Sequence, residues 1–237
     1  MSASTRDAVL KRIRRAVGAT PAHDRARREA VAERLSRTPA GIVPERGQVP
    51  PAERLALFVD KATVAAATVT RVENDAAIPD AIATYLREHN LPAAIKTGHD
   101  PRLTALDFSA TALRVSRGPS DGDDLTSLSR ADGGIAETGT LVLTSGRDNP
   151  TSLNFLPEYH IVILDAADVA GDMEAVIAKL RQRHGQGELP RSVNFITGPS
   201  RSADIEQTML LGAHGPRSLH IIVIGEPGLG AAKPKPH

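Results

Sequence analysis

The chain has 237 residues, 41% of them apolar and 24% charged, which admits one large α/β domain or two small ones. Cysteine is absent, excluding disulfides, thiol catalysis and thiolate metal sites here, so any nearby iron–sulfur chemistry belongs to a partner. Tryptophan is also absent and aromatics are only 3%, too few for a single-strand nucleic-acid stacking platform.

No apolar run reaches the length of a membrane span, and the N-terminus lacks the apolar core of a secretory signal, so a cytoplasmic protein is expected. Net charge is +1 but uneven: residues 1–50 hold 11 Lys/Arg against 5 Asp/Glu, and the remainder is mildly acidic. Such a basic arm can bind nucleic acid or anionic lipid. The favoured reading is that it packs on its own body or a partner subunit, because its basic residues alternate with alanine and glutamate as on a solvated helix face.

In chain order, TRDAVLKRIRRAVG places Val9, Ile13, Ala16 and Val17 at helical spacing, and DRARREAVAERLSR predicts a second helix. PAGIVPERGQVPP carries four prolines and predicts an extended linker, so residues 1–50 read as a basic helical arm with a Pro-rich linker. PPAERLALFVDKA then opens an α/β domain over 51–226 with a helix. TVAAATVTRV predicts a strand, PDAIATYLREHN a helix, and PAAIKTG and ALRVSRG short strands. ADGGIAETGTLVLTSGRDNP reads as two strand pieces, HIVILDAADV as a strand and DMEAVIAKLRQRHG as a helix. Strand VNFIT, a helix over 202–211 and strand LHIIVIG follow, before a Gly/Pro/Lys-rich tail, 227–237, expected to be disordered. Strands alternating with helices call for a mostly parallel central sheet flanked by helices, with some mixing around 130–165.

Three polar stretches carry candidate chemistry. In open α/β sheets, ligands bind beyond the carboxyl ends of strands, where helix N-termini favour anions. TGPSRSADIE fits that place, with Gly198, Ser200, Arg201, Asp204 and Glu206 after strand VNFIT. The same serines and acids also suit an ordinary helix cap. In AETGTLVLTSG, Glu137 is a carboxylate among small polar residues, as a general base requires, or an incidental turn glutamate. In GAHGP, glycines around His214 allow close backbone approach, while a helix C-terminus would favour the same histidine as a cap. His160 enters an apolar strand and reads as a hydrogen-bonded structural residue. No histidine pairing with metal-ligand spacing, Walker loop, GxGxxG or GxSxG is present.

Taken together, IAETGTLVLTSG, LPEYHIVIL and TGPSRSADIEQTMLLGAHGPRSLHIIVI resemble the LUD-domain family of lactate-utilisation proteins, over roughly residues 55–226. The likeness is greatest to the small family member without cysteine clusters. Ser202 stands where threonine is expected, which keeps a hydroxyl. The resemblance implies a fold like that of the NagB/RpiA/CoA-transferase superfamily. It implies a role in converting L-lactate to pyruvate beside two iron–sulfur partner proteins, with no cofactor or metal in this chain.

It also implies one pocket from the three stretches. Thr138, Gly139 and Thr140 would line one wall with Glu137, and Gly198, Ser200, Arg201, Asp204 and Glu206 another, with His214 and Gly215 nearby. Arg201 would clamp a small carboxylate, and Glu137 or His214 would exchange a proton with it. The expected function is thus a non-redox subunit contributing substrate binding or assembly. A stand-alone enzyme of the superfamily acting on a small anionic metabolite is the alternative, and a nucleic-acid-binding regulator using the basic arm ranks third.

Overall fold

In a computed structural model, residues 3–18, 21–37, 41–185, 188–205 and 208–225 are described. The expected tail and Glu206 lie outside them. The chain divides after Ile42 into two units, so the Pro-rich segment 43–50 lies with the second. The first unit contains helices α1 (Ala3–Ala16) and α2 (Pro21–Arg37). Exposed i,i+4 ion pairs Arg25–Glu29, Arg28–Asp24 and Arg37–Glu33 lace α2.

The second unit opens with α3 (Pro51–Val64), β1 (Thr68–Val72), α4 (Ile78–Glu88), β2 (Ala94–Thr97), α5 (Pro101–Thr104) and β3 (Arg114–Arg117). Next come β4 (Thr126–Arg130), β5 (Gly133–Ile135), β6 (Thr140–Thr144), α6 (Ser152–Phe155) and β7 (Tyr159–Asp165). The rest is β8 (Val169–Ala170), α7 (Met173–His184), β9 (Val193–Ile196), β10 (Arg201–Ile205), β11 (Thr208–Leu211) and β12 (Ser218–Ile224).

Six strands form an all-parallel sheet in the order β1-β12-β7-β4-β2-β3. The expected mixing is confined to a separate four-stranded sheet, β8-β5-β6-β9, in which β6 runs antiparallel to both neighbours. Alternation along the strands sorts the core. Ile161 and Ile163 of β7 and Ile222 of β12 meet Ile78, Ile82 and Leu86 of α4. Val162 and Leu164, with Leu219, Ile221 and Val223, face the second sheet and α3 through Phe58, Leu55, Leu141 and Leu143. On the far side of that second sheet, Val176 and Leu180 of α7 cover Ile135 and Val142. The result is helix, sheet, sheet, helix.

Several sequence expectations are corrected. The run 63–72 is not one strand: α3 extends to Val64, and Ala66 turns the chain at φ 66° before β1. Strand β4, TSLSR, is wholly buried yet too polar to register as a strand. Where a helix over 202–211 was expected, Arg201–Ile205 and Thr208–Leu211 pair as antiparallel strands, β10 and β11. The base of this pair is pinned by backbone bonds from Ser200 N to Pro216 O and from Gly212 N to Ser200 O, which hold the entering and leaving chain side by side.

Candidate functional site

Without a helix at 202–211, the helix-dipole argument for an anion at Ser200 lapses, and His214 lies in the turn between β11 and β12, not at a helix end. Two of the three polar stretches nevertheless meet a cavity of about 290 Å³. Gly198, Pro199, Ser200 and Arg201 line one side, and His214, Gly215 and Pro216 another. Asn154 and Phe155 of α6, His160 of β7, Leu219 of β12 and Phe195–Thr197 complete it. His160 and Leu219 are register partners one residue into their strands, so the cavity lies at the amino ends of β7 and β12. The parallel strands thus meet the cavity at their amino ends, whereas β9, the VNFIT strand, meets it at its carboxyl end.

The mouth is cationic and the base is buried. Arg201 and His214 are exposed, and Arg201 is steadied by a 3.0 Å bond from Nη2 to the carbonyl of Ala65. Its planar fork has further N–H groups for a carboxylate. At the base, Asn154 and His160 are each 1% exposed. Burial pushes the His160 pKa down to about 3, so the ring is neutral at working pH. The Ser129 hydroxyl donates to Asn154 Oδ1 at 3.3 Å and lies 3.1 Å from His160 Nε2. Neither Asn154 Nδ2 nor His160 Nδ1 has a hydrogen-bond partner.

The AETGT stretch does not line this cavity. Glu137 is 7% exposed and faces the Pro-rich segment: Arg46 Nε stands 3.1 Å from Oε2, too poorly aligned for a hydrogen bond but close enough for an ion pair. The Met173 N–H at the start of α7 reaches Oε1 at 3.4 Å. Thr138 Oγ1 meets Thr140 Oγ1 at 2.7 Å, and Thr140 Oγ1 meets Thr197 Oγ1 at 2.7 Å, so this stretch meets the back of the cavity wall at Thr197.

Gly139 and Gly198, both at positive φ, press on the end of α3. A Cβ on Gly139 would overlap the backbone of Lys61 and Ala62, and one on Gly198 would overlap the Ala65 carbonyl. Asp204 belongs to β10 by its backbone. Among the described residues, no group of three or more His, Asp or Glu could hold a metal ion. No described helix is long and apolar enough to cross a membrane.

Sequence reading passed over Asn154, Ser129 and His160 as site residues. The available signal was polarity in the wrong place: serines alternating through β4 and a histidine inside an apolar strand.

Comparison with known proteins bears on the same stretch of chain. Residues 123–224 match the sequence model of the LUD domain, and they include β4, α6, β7 and the turns that line the cavity. Over that stretch the chain is similar to the LUD domain. The chain is also 39% identical over 92 residues to "Lactate utilization protein C" of Shouchella clausii, covering 39% of this chain and 40% of that one. It is 43% identical over 95 residues to the protein of the same name from Halalkalibacterium halodurans, covering 39% and 41%. The matches thus span about two fifths of these relatives' length. A crystal structure of a DUF162 family protein from Deinococcus radiodurans aligns with a TM-score of 0.53 at 24% identity, over 75% of this chain and 99% of that one. That alignment shows a shared fold over that part of the chain.

Proposed function

We propose that this chain is a non-redox subunit of an L-lactate utilisation system, in which it binds a small carboxylate and leaves electron transfer to iron–sulfur partner proteins. The observation that carries the reading is the cavity itself, where Arg201 and His214 stand exposed above a neutral, buried polar base. A carboxylate fits the cationic mouth, held by the Arg201 fork, and the remainder of a three-carbon acid fits the space beneath. The names of the LUD-domain relatives support lactate as the physiological context. The lack of cysteine supports the division of labour, since this chain has no thiolate for a cluster.

The test is purification of the tagged full chain from its native cells grown on L-lactate, with the Arg201→Ala variant alongside. Co-elution with cysteine-rich chains carrying iron–sulfur absorbance is expected, together with poorer growth of the variant. A colourless, solitary protein that itself turns over a small anionic metabolite would replace this reading with an independent enzyme.

A further inference from the structure

Among the described residues, the two helices of the arm bury no side chain, and Val9, Ile13 and Val31 stand exposed. Helices of 14 and 17 residues gain most of their stability by packing an apolar face, so this pair calls for a surface to cover it. The arm's described ion pairs all lie within α2, which leaves the guanidinium groups of α1 available. On α1, Arg6, Leu10, Ile13 and Arg14 follow at i, i+4, i+7 and i+8 and so share one side of the helix. Two apolar side chains thus lie between two cations set about 12 Å apart along the axis.

The second unit offers a counterpart outside the cavity already described. Strand β1 is an edge of the parallel sheet, and its Thr68 and Thr70 are exposed. Between β1 and α4 lies a trough of about 280 Å³, with Thr70 and His220 on the strand side. Its other wall is Asp80, Ala81, Thr84 and Glu88, which stand at i, i+1, i+4 and i+8 on α4. Two carboxylates therefore bracket two small residues, again about 12 Å apart. Asp80 and Glu88 are exposed, and the described ion pairs include neither. The floor is firm: His220 Nδ1 meets Thr68 Oγ1 at 2.7 Å, and its ring stacks on Tyr85 with centroids 4.1 Å apart.

Charge and spacing match, and the anchoring of segment 43–50 decides between copies. Arg46 pairs with Glu137, and a Cβ on Gly47 would come within 2.9 Å of Asp172 at the start of α7. Helices α7 and α4 cover opposite outer faces of the two stacked sheets. The second unit thus receives the chain on the side away from its own α4, whereas a second copy presents its α4 without that detour. Residues 1–50 contain no Phe, Tyr or Trp, so the apolar side of α1 lacks the aromatic anchors of a helix that lies in lipid.

We propose that α1 of one copy docks antiparallel in the α4–β1 trough of a second copy, with Arg14 at Asp80 and Arg6 at Glu88. Leu10 and Ile13 then lie over Thr84 and Ala81. The exchange is reciprocal and closes a twofold dimer. Its ion pairs are exposed, so the dimer weakens as salt rises.

The test is sedimentation velocity of the full-length protein across ionic strength, where a dimer at low salt should dissociate at high salt. Arg6→Glu with Arg14→Glu should weaken the dimer at least about tenfold, and adding Asp80→Lys and Glu88→Lys to the same chain should restore it. All four positions are exposed, so these variants should fold. The chain has no cysteine, so Ile13→Cys and Ala81→Cys together supply its only thiols, and a short bismaleimide should join two chains. Cross-linking within single chains would put the arm on its own body and overturn the exchange. A dimer indifferent to the charge reversals would overturn the trough as its seat. A monomer at every salt concentration would overturn the proposal outright, and its co-sedimentation with phosphatidylglycerol vesicles would assign the arm to lipid instead.

Discussion

The Oγ1 atoms of Thr140 and Thr197 lie 2.7 Å apart, joining β6 to the end of β9 just where the chain turns into the cavity wall. Thr138 extends the hydroxyl chain by one more 2.7 Å contact. The AETGT stretch thus supports the wall from behind without entering the cavity. Thr197→Val keeps the shape and removes the hydroxyl. It should cost about 1 kcal/mol in urea unfolding, the usual value of one such hydrogen bond, with at most a few-fold weakening of ligand binding. A total loss of binding with unchanged stability would give Thr197 a direct ligand contact instead.

Gly139→Ala should be far more damaging than its size suggests. The residue sits at φ 65° with α3 backbone where its Cβ would go, so about 3 kcal/mol or more of stability should be lost. Gly146→Ala is the control, since it is exposed and nothing lies within 4 Å of the added atom. Its midpoint should stay close to that of the unmodified protein. Thermal denaturation of both variants checks the contrast.

Glu137 is legible in the sequence as a carboxylate in a permissive setting, and the structure gives that setting a different occupant. Its partners are Arg46 and the first turn of α7, not the cavity. Glu137→Gln should therefore leave L-lactate affinity within about twofold while losing the ion pair to the Pro-rich segment. Limited proteolysis, with cleavage mapped within residues 41–50, should show faster cutting of the variant. Loss of affinity without faster cutting would return Glu137 to the site.

Acid sensitivity should come from histidines. Burial lowers the His220 pKa to about 4, helped by the charge of His89, as burial lowers His160 to about 3. An unfolded histidine takes a proton near pH 6.5, whereas these folded ones do not. Stability is thus complete above about pH 6.5 and falls as pH drops towards 4, at about 1.4 kcal/mol per pH unit for each group. Asp100 acts lower. Burial alone would raise its pKa, but hydrogen bonds and charge from Arg102 outweigh that and lower it, so its contribution is lost only below the ordinary carboxylate range. Denaturant titrations at pH 7 and pH 5 should show the drop, and His220→Gln should roughly halve its slope.

Most of the fold was readable because burial follows period. Helix α4 and strands β7 and β12 carry their core positions at spacings that admit one reading. Where the reading failed, distant contacts decided. Ile205, Met209 and Leu210 suit a helix face, but Ser200 is tied by its backbone to Gly212 and Pro216, and that tie has no local signature. Strand β4 is hidden for a related reason. Its serines are bonded to α6, and its Arg130, only 7% exposed, is neutralised by Asp165 and Asp75 from other parts of the chain. His214 stood out because it lies in a glycine-flanked turn, where polar residues suggest function, and Arg201 because it follows a Gly-Pro turn directly, at the start of β10. His160 was passed over because one residue in an apolar strand does not disclose which face opens to a cavity.

The strand order also governs when this domain can exist at all. β12 lies between β1 and β7, and its pairing with β1 brings residue 68 beside residue 220. On the ribosome, the first strand to emerge must wait for nearly the whole unit before its neighbour appears, with β7 left open on the same side. Such long-range closure is slow and exposes apolar edges meanwhile. A nascent chain stalled before β12 would carry both edges bare, so this protein should lean on chaperones during synthesis more than its modest size suggests.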